Sequence, residues 1–335
     1  MDCVILNTYR NISDPLCVYL QRFGENGFEQ QKGGGRNGLE KTGDPARRYM
    51  ENNKVKILCD STCDLSPELI EKFDIDLMPM YVNLDGQMFR DGVDIHPEMI
   101  FDLYREKKIL PKTAAPSVQD FIDFYDKYTS QGYDVVQITI SSDFSSSYQN
   151  ACIAAKEAEG NIYVVDSRNL STGVGHVVLN AAEMRDQGMS AAQIKEKCDE
   201  LVDLVDASFV ISNVIFLYKG GRCSATAAVA ATALNIKPSI NVIGGKMDVG
   251  KKYRGSYEKC LMKYIRDRLE NADDIDPRRL FITRSTESAD IDKKVLEEVS
   301  KYVQFEEVNY TRAGCTVCGH CGPDTLGILY MHKRK

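Results

Sequence analysis

Val55-Lys56-Ile57-Leu58-Cys59 runs into Asp60-Ser61-Thr62, Val135-Val136-Gln137-Ile138-Thr139-Ile140 into Ser141-Ser142-Asp143, and Ile162-Tyr163-Val164-Val165 into Asp166-Ser167. Three times, then, an apolar stretch passes through a turn rich in hydroxyls and carboxylates and continues as a helix. Each stretch is short, β-branched and nearly continuous, the pattern of a strand buried on both faces. The first helix opens with Ser66 as N-cap and Pro67 at its first position. The second runs to about 159, and the third follows Gly173 and Gly175. Strands alternating with helices of this length imply a parallel sheet covered on both faces, and the fold class is α/β.

Working outward, Leu77 to Ile95 alternates around Asp85-Gly86 and reads as a hairpin. Ser117 caps a helix that runs toward Ser130. After an amphipathic helix over 190–205 come a strand over 209–217, a helix over 226–234 and a hairpin over 240–254 around Gly244-Gly245. Helices over 257–269 and 291–302 then alternate with strands over 280–283 and 305–310, and 326–331 is the last apolar run. This order predicts two α/β domains, residues 54–206 and 207–335. Residues 1–53 hold seven of the 24 glycines and no helical or strand period, so they read as a poorly ordered extension, with Met50 as a candidate natural start.

Composition excludes several classes. Lys and Arg number 42 against 49 Asp and Glu, a net charge of −7, which argues against a phosphate-tracking nucleic-acid binder. The longest uncharged stretch, Cys223 to Ile236, falls short of the roughly 18 to 20 apolar residues that cross a bilayer. Nothing near the start reads as a secretory leader, so a cytoplasmic location is expected. Eleven cysteines are too few for a disulfide scaffold of this length.

In open parallel sheets ligands bind beyond the carboxyl ends of the strands. That places Ser61, Thr62, Ser141, Ser142 and Asp166 on one edge as candidate ligand-binding residues, although each also suits a plain helix cap. Ser141 and Ser142 precede a helix whose free N–H groups favour an anion. Lys219-Gly220-Gly221-Arg222 offers a glycine turn that presents Arg222 to a carboxylate or phosphate. In Gly319-His320-Cys321-Gly322-Pro323 an imidazole stands between turn formers, suited to handling a proton or an anion. Cys315, Cys318 and Cys321 invite a metal reading, but structural zinc takes four ligands and no second finger-like pair stands nearby, so no metal is expected. There is no G-x-x-x-x-G-K-[ST] for a nucleotide and no G-x-S-x-G for a hydrolase. Pattern alone stops at an α/β anion-binding protein.

From about 55 to 330 the chain also resembles the DegV family, which includes the fatty-acid-binding subunits of bacterial fatty acid kinase. The resemblance rests on seven landmarks in order: Asp60 to Leu65, Thr113 to Ser117, Ser141 to Ser145, Val165-Asp166-Ser167, Gly220-Gly221-Arg222, Asn235 to Pro238, and His320 to Pro323. It implies two α/β domains with a ligand tunnel between them and one long-chain fatty acid inside. The carboxylate is then held by Thr113 and Ser142, with Ser141 beside it and Arg222, His320 and Arg254 close by. The chain would be a substrate carrier with no cofactor of its own, rather than an enzyme, and would present the carboxylate to a separate kinase subunit for acyl-phosphate formation. Transient membrane contact is compatible with that role. The family's usual T-S-Q-P loop reads Thr113-Ala114-Ala115-Pro116 here, and Asp143, Ser146 and Asp324 stand where glycine is common. The competing readings are a phosphotransfer enzyme related to dihydroxyacetone kinase that uses His320, and a metal-binding protein that uses the three clustered cysteines. Arg266, Arg268, Arg278 and Arg279 form a local basic cluster, either a kinase-docking surface or a solvated helix end.

Overall fold

The computed structural model describes residues 54–222, 236–270 and 272–334. The expected N-terminal extension, the start at Met50 and the helix over 226–234 lie outside the described residues.

The repeated strand, turn and helix units build a four-stranded parallel sheet. It comprises β1 (Lys54–Asp60), β2 (Ile75–Met78), β6 (Tyr133–Thr139) and β7 (Ile162–Asp166), in the order β2-β1-β6-β7. Ile57 stands opposite Ile75 on one side and Val136 on the other, so apolar residues align across the sheet. Between β2 and β6, strands β3 (Tyr81–Leu84), β4 (Gln87–Arg90) and β5 (Lys112–Ala114) make a small antiparallel sheet ordered β4-β3-β5. Its two-residue turn, Asp85 at φ 53° and Gly86 at φ 87°, has the left-handed pair that tight hairpins require.

The remaining strands form a six-stranded mixed sheet. These are β8 (Val205–Ile211), β9 (Ile236–Ile243), β10 (Lys246–Arg254), β11 (Ile275–Arg284), β12 (Glu307–Arg312) and β13 (Thr325–His332), ordered β10-β9-β8-β13-β11-β12. Only β11 and β12 run parallel. The expected strand over 209–217 is shorter and earlier, and its last residues turn helical.

The helices are α1 (Pro67–Lys72), α2 (Pro97–Lys107), α3 (Val118–Thr129), α4 (Ser147–Glu157), α5 (Thr172–Asp186), α6 (Ala191–Leu201), α7 (Ile215–Lys219), α8 (Tyr257–Leu269), α9 (Ala289–Val299) and α10 (Cys315–Cys321). Ser66 caps α1, and Ser117 closes a reciprocal capping box with Asp120 on α3, as the sequence predicts.

Helix α5 joins the two larger sheets. Ten of its fifteen residues are buried, too many for a helix with one solvated side. Val174, Val177, Val178 and Ala181 share one apolar core with Ile57 and Ile138 of the parallel sheet and with Ala207, Phe281 and Leu329 of the mixed sheet. Gly173 and Gly175 make this approach feasible. A Cβ on Gly175 would lie 2.8 Å from Leu65 and 3.1 Å from the Cys63 carbonyl, and one on Gly173 would lie 3.3 Å from the Ala207 side chain.

Helix α10 ends at Gly322, where φ 75° and ψ 179° fall in a region almost reserved for glycine. A Cβ there would meet the Phe216 ring at 2.7 Å. Gly322→Ala is therefore expected to lower stability by about 2 kcal/mol or more. A urea midpoint equal to that of the unchanged protein would contradict this.

Candidate functional site

A cavity of about 340 Å³ opens between the small antiparallel sheet, the serine-rich turn after β6, and the mixed sheet. That size lies in the range of small-molecule sites. Most of its wall is apolar, from Met80, Ile140, Phe144, Leu170, Phe209 and Leu217 among others. Among the described residues the polar lining comprises Thr113, Ser145, Ser146, Arg222, Thr316 and His320. Thr113 comes from β5, Ser145 and Ser146 from the serine-rich turn, Arg222 from the turn after α7, and Thr316 and His320 from α10, so four separate segments supply the polar groups.

Thr113 Oγ1 and His320 Nε2 are 2.9 Å apart, within hydrogen-bonding distance. Among the described residues His320 Nδ1 is buried without a hydrogen-bond partner, as is Thr316 Oγ1 one turn earlier on the same helix. Burial, helped by the neighbouring Arg222 charge, pushes the His320 imidazole down to about 4, so it is neutral at physiological pH. Arg222 Nη1 donates to the Gly220 carbonyl at 2.5 Å and Nη2 to the Phe144 carbonyl at 3.0 Å. Both acceptors are neutral. Among the carboxylates of the described residues none forms an ion pair with Arg222, and its partial burial favours the uncharged form. A cation whose partners among the described residues are carbonyls, beside a neutral imidazole, is an environment that an anionic group would complete.

The glycines before Arg222 have different tasks. Gly221 takes φ 72°, the left-handed turn inferred from the sequence. Gly220 has an ordinary φ of −72°, but a Cβ there would stand 2.2 Å from His320 Nδ1. It is the space for the imidazole.

The other expected site residues do not line this cavity. The strand ends do converge on one edge, as reasoned, but their polar atoms serve the loops around them. Asp60 accepts from the Ile140 N–H at 2.9 Å, from Ser147 Oγ at 3.1 Å and from both the N–H and hydroxyl of Thr62. Thr62 is thereby committed, and Ser61 Oγ donates to Asp91 at 3.2 Å. Asp166 accepts from the N–H groups of Ser142 and Arg168 at 3.2 and 2.9 Å. Ser141 Oγ donates to the Gly245 carbonyl at 2.8 Å, tying the serine turn to the β9–β10 hairpin. In their place, Ser145 and Ser146 of the same turn face the cavity. Arg254 is exposed at the end of β10. Thr316 had no signal in the sequence, because the turn expected around His320 is in fact the helix α10.

The departures from the family pattern find local explanations. Asp143 stands 3.7 Å from Lys246, which offsets its charge, and Asp324 adopts φ 52°, the conformation glycine takes freely. Among the described residues no group of three His, Cys, Asp or Glu is placed to hold a metal. Cys318 Sγ instead donates to the Ala313 carbonyl at 3.2 Å. The basic cluster is neutralised by carboxylates. Arg279 pairs with Glu183 and Glu307, Arg268 with Asp206, Arg278 with Asp276, and Arg266 with Asp267 and Glu270.

The fold defines an α/β protein with a mainly apolar cavity, lined in part by polar side chains, between the small antiparallel sheet, the serine-rich turn and the mixed sheet. The chain belongs to the DegV family: the family described as "Uncharacterised protein, DegV family" matches residues 54–333. A fatty acid-binding protein of Thermotoga maritima is 33% identical over 282 residues, which cover 82% of this chain and 96% of that one. A fatty-acid-binding DegV family protein of Thermus thermophilus superimposes with a TM-score of 0.75 at 29% identity, covering 83% of this chain and 99% of its own. A stearic acid-binding protein of Eubacterium ventriosum gives 0.74 at 28%, with 83% and 98% covered.

Two predictions follow from the geometry around His320. Gly220→Ala would set a Cβ 2.2 Å from His320 Nδ1 and 3.0 Å from the Phe216 carbonyl, displacing the imidazole from Thr113, so the His320 ring resonances should shift and the urea midpoint should fall; unmoved resonances would contradict the contact. Folded His320 takes up its proton near pH 4, an unfolded imidazole near about 6.5. The unfolded chain therefore binds more protons in that window, and stability falls as pH drops from 6.5 to 4, by up to about 3 kcal/mol for this group. His320→Gln should lose less stability over that interval, and an identical loss would contradict the assignment.

Proposed function

We propose that this chain binds one long-chain fatty acid between an N-terminal domain, residues 54–206, and a C-terminal domain, residues 207–335. The acyl chain lies along the apolar wall and the carboxylate at the Thr113, Arg222 and His320 end. The observation that carries this reading is the lining of the cavity, mostly apolar but including a guanidinium whose hydrogen-bond acceptors among the described residues are neutral carbonyls. The relatives named for fatty acid binding support it.

Magnitudes assign the roles. Burying about fourteen methylenes at ~0.8 kcal/mol each contributes about 11 kcal/mol before association costs, against about 1.5 to 3 for a charge-assisted hydrogen bond. The tail dominates affinity, and the polar end sets the orientation. A carrier that leaves its ligand's carboxylate at a defined place suits transfer to a second protein. We assign the chain a cytoplasmic, non-catalytic role that presents the carboxylate to a separate kinase subunit and requires no cofactor. Among the described residues no helix is long and apolar enough to cross a membrane, and loading from a bilayer requires only transient contact. The mainly apolar lining favours this carrier over a phosphotransfer enzyme built on His320, since a small polar substrate would leave most of the wall unused.

A fluorescent long-chain acyl probe bound to delipidated protein tests the reading. Hexadecanoate should displace it and butyrate should not. Arg222→Ala should retain bound lipid while slowing acyl-phosphate formation by the kinase about tenfold or more. Equal displacement by the two acids would overturn the assignment, and complete loss of lipid from Arg222→Ala would overturn the division of roles.

A further inference from the structure

Helix α10 carries both Thr316 and His320, and its first N–H groups have no partner within the helix. Residues distant in sequence supply one. The Cys315 N–H donates to Asp91 Oδ1 at 2.7 Å and the Thr316 N–H to Asp91 Oδ2 at 2.9 Å, across 224 and 225 residues. Just before them, the Gly314 N–H donates to Asp64 Oδ1 at 2.8 Å. Gly314 has little room between the two carboxyl groups, since a Cβ there would lie 3.2 Å from Asp91 and 3.3 Å from Asp64.

Asp91 is only 3% exposed, and burial of a carboxyl group is costly unless its oxygens are satisfied. Its position in the fold shows what that burial achieves. Asp91 directly follows β4, and its own N–H donates to the Met80 carbonyl at 2.8 Å, just before β3. Strand β3 pairs with β4 on one side and with β5 on the other, where Val82 stands opposite Thr113. The sheet that carries Thr113 therefore also carries the residue that grips the helix of His320. Ser61 Oγ completes the arrangement by donating to Asp91 while accepting from the Met80 N–H at 3.1 Å.

We propose that Asp91 is a positioning residue: by holding the start of α10 against the β3–β4–β5 sheet, it fixes where His320 and Thr316 stand relative to Thr113 and Arg222. The inference deepens the fatty-acid reading and, for its effect on ligand, rests on it. Asp91 is not among the residues that line the cavity and acts through α10. The same sheet and two hydrogen bonds set the 2.9 Å separation of Thr113 and His320.

Asp91→Asn replaces one acceptor oxygen with an NH₂ group that faces a backbone N–H. Two readouts on the full chain test the proposal. In ¹⁵N-histidine NMR of the protein, with His320→Gln for assignment, the His320 ring resonances should shift in the variant. After delipidation, the preference for hexadecanoate over 1-hexadecanol should fall about tenfold, while affinity for 1-hexadecanol stays within about twofold. A merely structural role would weaken both ligands alike. If Asp91→Asn does not fold, Cys315→Pro removes one donor at the first helical position, where proline is tolerated, and Gly314 at φ −70° and ψ 178° already has the extended form proline requires before it. Unchanged His320 resonances in the folded variant overturn the proposal whatever the ligand does. An unchanged preference overturns its effect on recognition. An unaltered protein that binds neither probe speaks against the fatty-acid reading, and the resonances still decide the role of Asp91.

Discussion

Both large sheets bury their apolar faces against the same helix, α5, and the position of the cavity depends on that shared packing. One side of the helix meets β1 and β6, and the other meets β8, β11 and β13. Gly173 and Gly175 allow the close approach, so the two sheets cannot move apart without exposing a common core. The loops beyond the parallel strands are thereby brought to face the mixed sheet. Ser141 reaches the Gly245 carbonyl across that gap and Phe144 accepts from Arg222. The cavity is what remains between surfaces whose spacing α5 sets.

Within it, the chemistry follows from desolvation. Burial keeps His320 neutral, and it disfavours the charge on Arg222, which no carboxylate among the described residues offsets. Such a site is poorly satisfied by the protein alone. Extra carboxyl groups nearby are handled separately: Asp143 faces Lys246, and Asp60, Asp64 and Asp91 are enclosed by hydroxyls and backbone N–H groups. Burial pushes Asp64 up to about 8, with the Asp91 and Asp60 charges adding to the effect. Asp60, Asp64 and Asp91 are thus held in loop and helix anchors, and none of the three lines the cavity.

Strands β1, β6 and β7 of the parallel sheet, the helix caps at Ser66 and Ser117 and the Asp85-Gly86 turn were legible because each rests on local chemistry read within a few residues, whereas β2 overlaps the start of the stretch read as a hairpin over 77–95. Three of the expected site residues, Thr113, Arg222 and His320, meet at the cavity. Ser61, Thr62 and Ser141 have the right residue type in the right place, yet a sequence does not distinguish a hydroxyl offered to a ligand from one committed to a loop. Gly220 illustrates the same limit: its glycine reads as a turn, while its purpose is to make space for a ring on α10. Helix α10 was hidden by Gly319 and Gly322, which imitate a loop, and by start-of-helix partners more than two hundred residues away. The mixed sheet was misjudged at 209–217 because an apolar run does not reveal where strand gives way to helix.

Native mass spectrometry of the protein as purified, followed by denaturation, tests the central claim most directly. The account predicts one fatty-acid mass per chain in the native state, released intact on unfolding. A ligand-free native mass, or a bound mass that is polar or metallic, would contradict it.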